Sequence, residues 1–354
     1  MRSPQHPQVP KTMLAAEVYE PRRVRVHQVP VPKLGPDDAL LRIQVCGICG
    51  SDVHRYLMDA YGSRFRYPLN SGHEFAAQVV SVGERVTNIS PDQRVTGHPQ
   101  WVQFGGAFAE YVLIPEADRN LISVDGSGKA NKYSVIEPDL VTLIEPLTVA
   151  LQALDRSEEI ISKDVKSLPK LVIVGSGTIG LSVLLAAQTR GYNHIVVSEP
   201  SPLRREIAES IGAITVDPSG PEGVDRLRSA VSKCPGKAGE GADMVFECAG
   251  TADSVVQAVE ISALQSQLIM VALTRTNLGI DVIKVVTKKL TVKGTIGAPL
   301  HKYAMEAARI LSSRNKDAAK LITHRFPLED AEKAFELACD PHRCCKVLVE
   351  TLNR

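Results

Sequence analysis

Two short stretches of the chain concentrate residue types that bind metals and move protons. One is Cys46-Gly47-Ile48-Cys49-Gly50-Ser51-Asp52-Val53-His54; the other is Gly72-His73-Glu74. A soft thiolate together with an imidazole suits zinc, and a carboxylate can complete the shell. A catalytic zinc keeps three protein ligands and leaves one position for water or substrate. The CxxC of Cys46 and Cys49 also resembles half of a four-Cys structural site. No second CxxC stands at a suitable spacing, so that reading is the poorer one.

A third stretch, Gly175-Ser176-Gly177-Thr178-Ile179-Gly180, matches GxGxxG. Gly175 permits the tight turn, Gly177 lets backbone approach a pyrophosphate, and Gly180 lets helix and strand pack closely. The helix that follows offers unpaired N–H groups and the positive end of its dipole to phosphates. The motif is weak alone, but here it follows an apolar strand, opens a helix and has an acidic residue at the end of the next strand. That residue, Glu199, lies nineteen positions after Gly180, close to the ~20 of a ribose-binding carboxylate. A carboxylate there accepts from the ribose hydroxyls and repels a 2′-phosphate, which favours NAD over NADP. Arg204 and Arg205 follow closely; they are read as a solvated helix face or a stack on adenine rather than a phosphate clamp.

These residues need two kinds of scaffold. Up to about position 150 the chain is rich in β-branched residues and broken by Gly and Pro, and segments such as Leu40 to Val45 and Ala77 to Val82 read as strands of an irregular, mostly-β unit. A connecting helix and loop is expected over 155–170. From Leu171 strands alternate with helices: strands at Leu171 to Val174, His194 to Ser198, Asp243 to Glu247 and Leu268 to Leu273, and helices at Thr178 to Arg190 and Ser201 to Ile211. Repeated strand–helix units imply a doubly wound parallel sheet, so the fold class is α/β. Tyr303 to Leu311 and Leu328 to Ala338 read as helices, and the tail CCKVLVE as a closing strand.

Composition narrows the function. Lys plus Arg is 41 and Asp plus Glu is 40, so the basic excess of a duplex-binding domain is missing and no nucleic-acid partner is expected. No apolar run reaches the ~18 residues that would span a bilayer, and the first residues, MRSPQHPQVPK, lack the apolar core of a secretory signal. The seven Cys, at 46, 49, 234, 248, 339, 344 and 345, are odd in number and irregularly spaced, which argues against a disulfide framework and for reduced thiols in the cytoplasm.

GICGSDVH, SGHEFA, the EPLTVA stretch around Glu145 and GSGTIG, in this order, resemble the zinc-containing medium-chain alcohol dehydrogenases, and most of all the sorbitol (polyol) and butanediol dehydrogenase branch. THRFPLEDAEKAFE, from Thr323 to Glu336, is similar to the C-terminal segment of that branch. The resemblance extends from near Met13 to the end of the chain. It implies a GroES-like catalytic domain over 1–154, an NAD-binding Rossmann domain over 155–298 and a segment over 299–354 that returns to the catalytic domain. It further implies that Cys49 and His73 hold zinc. Glu74 would be a ligand or a nearby carboxylate that exchanges with water, and Glu145 a third ligand or the holder of the zinc-bound water. Asp52 would orient the His73 imidazole. Ser51 would take the proton from a bound alcohol and His54 would pass it toward solvent. Cys248, Ala249 and Gly250, with Val271 to Leu273, would flank the nicotinamide half of the cofactor, and Lys346 would approach the pyrophosphate. The implied substrate is a small alcohol or its ketone, and the implied assembly a dimer or tetramer of identical chains. Cys46 has no role in the resemblance and reads as a core thiol; His98, His301 and His324 belong to no motif.

The chain departs from the pattern in places. The stretch from Val95 to Ala117 carries no Cys and is too short for the structural-zinc lobe of many relatives, so one zinc per chain is expected. Gly297 and Ala298 stand where polyol dehydrogenases of this branch carry an Arg–Tyr pair, and Arg55 replaces a common aromatic after His54. Without the pair's guanidinium donors and phenol the pocket holds a chain of hydroxyls less well. A less hydroxylated secondary alcohol is therefore at least as good a candidate as sorbitol. Two alternatives compete: a zinc-free quinone or enoyl reductase of the same fold, and a non-catalytic cofactor-binding protein.

Overall fold

The computed structural model describes residues 9–59, 61–97, 106–125, 136–158, 169–235 and 241–351. Two sheets with different construction rules carry the residues singled out above. In the first, six strands are parallel, in the order Ile214–Val216, Ile195–Ser198, Leu171–Val174, Ala242–Glu247, Ser262–Met270, Thr291–Gly294. Leu171–Val174 is buried along its whole length, as a short apolar run covered by helices on both faces should be. The chain winds outward from it to Ile214–Val216, then crosses back to Ala242–Glu247 on its other side. The carboxyl ends of Leu171–Val174 and Ala242–Glu247 thus flank the switch point, where open α/β sheets bind ligands.

The second sheet is mixed and seven-stranded. Ile322–Pro327, Lys346–Glu350, Ala39–Gly47, Glu74–Val82, Arg94–Gly97 and Leu121–Ser123 lie side by side, and Tyr111–Ile114 also pairs with Ala39–Gly47. Its two C-terminal strands come from beyond the parallel sheet, so the chain crosses from one sheet to the other and back. Thr12–Glu20 and Arg23–Pro30 form a separate antiparallel hairpin.

Several elements differ from expectation for physical reasons. The helix expected near 155–170 is Ile144–Glu158; its Pro146 sits in the first turn, where the missing N–H is not needed, and 159–168 lie outside the described residues. This helix and Leu300–Ser313 pack on the Thr178–Thr189 helix in one core that also takes in Val45 and Ala76 of the mixed sheet. The strand expected at Leu268 to Leu273 is Ser262–Met270, so Val271 and Leu273 fall past its end. The polar run SALQSQ masks its start, although Ser266 and Gln267 are buried. The 328–338 helix divides into a 3-10 turn, Leu328–Asp330, and Ala331–Ala338. The closing strand begins at Lys346, so Cys344 and Cys345 precede it. Cys344 is tucked against the Leu337 and Asp340 carbonyls.

Candidate active site

Cys49 caps the helix Gly50–Leu57 in extended geometry, and its N–H donates to Asp52 Oδ2 at 3.0 Å. His73 and Glu74 come from the start of the neighbouring strand, Glu74–Val82, where Gly47 stands opposite Glu74 in the ladder. Donor atoms of Cys49, His73 and Glu74 all lie within 4.8 Å of one another. Glu145, from the first turn of Ile144–Glu158, is 7% exposed and joins them through its field. Asp52 Oδ1 stands 3.9 Å from His73 Nδ1.

The electrostatics of this cluster favour a cation. Burial works to push the His73 pKa down, but the charges of Cys49, Asp52 and Glu145 outweigh it and raise it to about 10. Burial, with Glu74 and Asp52 helping, raises Glu145 to about 7, against the pull of His73 and Lys346. The same potential that attracts a proton attracts a divalent ion, and sulfur, nitrogen and carboxylate donors together fit zinc. Cys46 takes no part. It is buried in the core behind, its Sγ against the Gly47 carbonyl, and burial pushes its thiol well up.

In the first turn of the helix, the Ser51 hydroxyl is buried and makes no hydrogen bond among the described residues. A buried hydroxyl without a partner costs about 1–3 kcal/mol, which a ligand oxygen beside the cluster would relieve. His54, on the same helix, is 8% exposed. Arg55 is buried too, its guanidinium 3.4 Å from Asp52 Oδ1 and 4.4 Å over the Phe65 ring. It is therefore packed against the carboxylate that faces His73.

At the switch point, Gly175 has φ +95, and a Cβ there would come within 2.8 Å of the Ala249 Cβ. Gly180 is pressed against the Gly175 carbonyl, which a Cβ would meet at 1.9 Å. Gly177 differs. Its φ is −67 and the nearest atom to an added Cβ is Arg204 Nη1 at 3.6 Å. Protein packing does not require glycine there, so the open space fits close approach of a phosphate, beside Thr178 and Ile179 at the start of the helix. The Glu199 carboxylate, at the end of Ile195–Ser198, accepts from the Ser176 N–H at 2.7 Å and the Ser201 N–H at 2.8 Å. Across the crevice Cys248 donates its N–H to the Val174 carbonyl at 2.8 Å, and Val271 donates to Glu247 at 2.9 Å. The segments at 248–250 and 271–273 therefore meet at the carboxyl ends of neighbouring strands.

Residues 35–125 match the alcohol dehydrogenase GroES-like domain, and residues 138–350 the glucose dehydrogenase C-terminus. Sorbitol dehydrogenase of Mus musculus is 30% identical, over 93% of this chain and 96% of its own length. The chain belongs to the medium-chain alcohol and polyol dehydrogenase family. The crystal structure of 2R,3R-butanediol dehydrogenase from Bacillus subtilis superposes with a TM-score of 0.77 at 27% identity, covering 96% of this chain and all of that one. A Sinorhizobium meliloti structure bound to NADP is equally similar, with 27% identity, a TM-score of 0.77, and 96% and 99% coverage.

In this dehydrogenase two residues have partners that the sequence did not disclose. Lys346 is held in the metal-ligand cluster. Its ammonium is buried, donates to the Ile48 carbonyl at 3.1 Å and pairs with the Glu74 carboxylate. Glu74, in turn, is neutralised by that lysine. Arg204 is partly buried, and its Nε donates to the Cys344 carbonyl at 2.9 Å. His301 contacts the Arg119 carbonyl and His324 the Thr323 hydroxyl, both away from the cluster; His98 lies outside the described residues, as do 98–105 of the Val95 to Ala117 stretch. Among the described residues no helix is long and apolar enough to cross a membrane.

Sequence reading missed two carboxylate roles. Glu247 accepts from the Ala249 and Gly250 N–H groups and from the Ser254 hydroxyl. It fixes the turn that packs on Gly175, and a carboxylate closing a strand just before Cys-Ala-Gly was the available signal. The other is Asp59, five residues beyond His54 and past the end of its helix, where no periodicity points.

Proposed function

We propose that the protein is a zinc- and NAD-dependent dehydrogenase that interconverts a small secondary alcohol and its ketone, with one zinc per chain. The observation that carries this is the convergence of the Cys49, His73 and Glu74 donor atoms within 4.8 Å, beside a buried Ser51 hydroxyl that makes no bond to the described protein. Cys49 and His73 would hold the metal, with Glu145 or Glu74 as the carboxylate. Since Glu74 is already paired with Lys346, Glu145 is the carboxylate whose charge is offered to the ion. When bound, zinc supplies Lewis-acid polarisation of the substrate oxygen and the nicotinamide accepts or returns hydride.

The chain's own residues do the rest. Ser51 takes the hydroxyl proton as it forms and hands its own on, and His54 carries the charge toward the surface, so that no net charge is left in the buried site. Asp52 fixes the His73 ring by facing its Nδ1. The glycine turn, with Cys248, Ala249, Val271 and Leu273 across the crevice, would position the cofactor. Glu199 favours NAD because it already concentrates negative charge where a 2′-phosphate would sit. The loss of the Arg–Tyr pair at Gly297 and Ala298 favours simple diols and hydroxy-ketones over long polyols. A homo-oligomer, dimer or tetramer, is the assembly consistent with the family.

The test is a substrate panel followed by reduced-cofactor formation, run with NAD and NADP on metal-depleted and zinc-reconstituted protein. The expected result is NAD-linked oxidation of a secondary alcohol that returns with about one zinc per chain. Equal turnover by protein stripped of metal would favour the zinc-free reductase instead.

A further inference from the structure

We propose that Asp59 is a positioning residue for His54, holding the imidazole at the outer end of the proton path that starts at Ser51. Asp59 Oδ2 lies 2.5 Å from His54 Nδ1. The pair is sheltered, with side-chain exposure of 10% for His54 and 14% for Asp59. A carboxylate is an acceptor only, so this contact requires the hydrogen on Nδ1 and leaves Nε2 with a bare lone pair. Nε2 is then the atom that can take the proton arriving from Ser51. The imidazolium formed has its second N–H held by a negative charge, which stabilises the transfer; the proton then leaves to bulk water and the imidazole returns to its starting tautomer.

The geometry around Asp59 is built rather than incidental. Its Oδ1 accepts the N–H groups of Tyr61 and Gly62, both at 3.2 Å, which fixes the carboxylate plane. Its own N–H donates to the His54 carbonyl at 3.3 Å, and its carbonyl accepts from the Ser63 N–H at 2.7 Å. The Tyr61 ring stands edge-on to the His54 ring at 5.8 Å. The other charge facing Oδ2 is Arg275, whose Nε is 4.0 Å away. Arg275 lies on the segment after Ser262–Met270, on the nucleotide-binding side, so the carboxylate at the end of the relay is shared between the two halves of the molecule.

This inference rests on the reading of Ser51 and His54 as the proton path, and the experiment separates the two. Asp59→Asn keeps an oxygen for the Tyr61 and Gly62 N–H groups but turns an amide donor toward His54, forcing the wrong tautomer. In the zinc- and NAD-loaded enzyme, D59N should lower kcat by about 100-fold with the KM for NAD unchanged. Added imidazole should restore part of the rate, and D59E should recover more than D59N. Nitrogen NMR of histidine-labelled protein should show His54 protonated on Nδ1 in the parent and on Nε2 in D59N, a reading that a merely structural cap would not give. If His54→Ala is impaired while D59N keeps kcat within about twofold, Asp59 only caps its turn and the proposal fails. If His54→Ala itself is fully active, the proton path is wrong and the proposal falls with it. Should D59N fold poorly, the His54 tautomer in the parent protein still decides: protonation on Nε2 overturns the proposal.

Discussion

The dinucleotide turn and the metal cluster both bury carboxylates, and they hold them in opposite ways. Glu199 and Glu247 accept from neutral backbone N–H groups and hydroxyls, most of them within seven residues. Glu74, Asp52 and Glu145 instead face charged side chains, several of them from remote parts of the chain: Lys346 is 272 residues from Glu74, and His73 comes from the start of another strand to face Asp52, beside the local Arg55. The first arrangement is a local motif that tolerates the loss of one partner. The second is a set of balanced charges at low dielectric, where removing one leaves another unpaired. The comparison therefore predicts concentrated, severe effects in the cluster and graded effects in the turn.

The largest effect should come from Cys49→Ala, which removes the thiolate. Turnover should fall by about 10⁴-fold, the weight of several kcal/mol of Lewis-acid stabilisation, while calorimetric NAD affinity stays unchanged. Next comes Lys346→Met, which strands the Glu74 carboxylate in a site where both partners are 1% exposed. Urea unfolding should show a loss of about 3–5 kcal/mol. By contrast Glu247→Ala, which orphans two backbone donors while the Ser254 hydroxyl keeps the Thr251 carbonyl, should cost about 1–3 kcal/mol. Equal losses for these last two would erase the contrast.

Within the turn, two glycines sharpen it further. Gly175→Ala forces a left-handed φ and a 2.8 Å contact with Ala249, and should cost about 1–3 kcal/mol of stability. Gly177→Ala meets only Arg204 at 3.6 Å, so stability should stay within about 0.5 kcal/mol. Its dinucleotide Kd should nonetheless rise by about tenfold, because the cradle is filled. A change of the same size, in cofactor choice alone, is expected for Glu199→Gln. Removing the charge should improve the KM for NADP by about tenfold, the equivalent of ~1.4 kcal/mol, read in a competition of the two cofactors.

The same contrast explains what the sequence disclosed. The GSGTIG turn, the flanking strands and Glu199 were legible because short-range sterics and hydrogen bonding impose them on consecutive residues. Cys49, His73 and Glu74 were legible as residue types in dense clusters, and the fold does bring them together. The Lys346–Glu74 pair was not legible because nothing local shows that a lysine opening the last strand is buried against a glutamate at the start of a strand in the mixed sheet. Asp59 escaped for a related reason: its link to His54 depends on the chain doubling back after Leu57 through Met58, in the left-handed region at φ 54. Val271 and Leu273 were placed in a strand that stops at Met270 because apolar character continues past the point where pairing ends.

The central claim is that a single zinc sits among Cys49, His73 and a buried carboxylate. X-ray absorption at the zinc edge on purified protein tests it directly. The account predicts one zinc per chain with one sulfur neighbour at about 2.3 Å and the remaining nitrogen and oxygen neighbours at about 2.0–2.2 Å. A shell of four sulfurs, or active protein that holds no zinc, would contradict it.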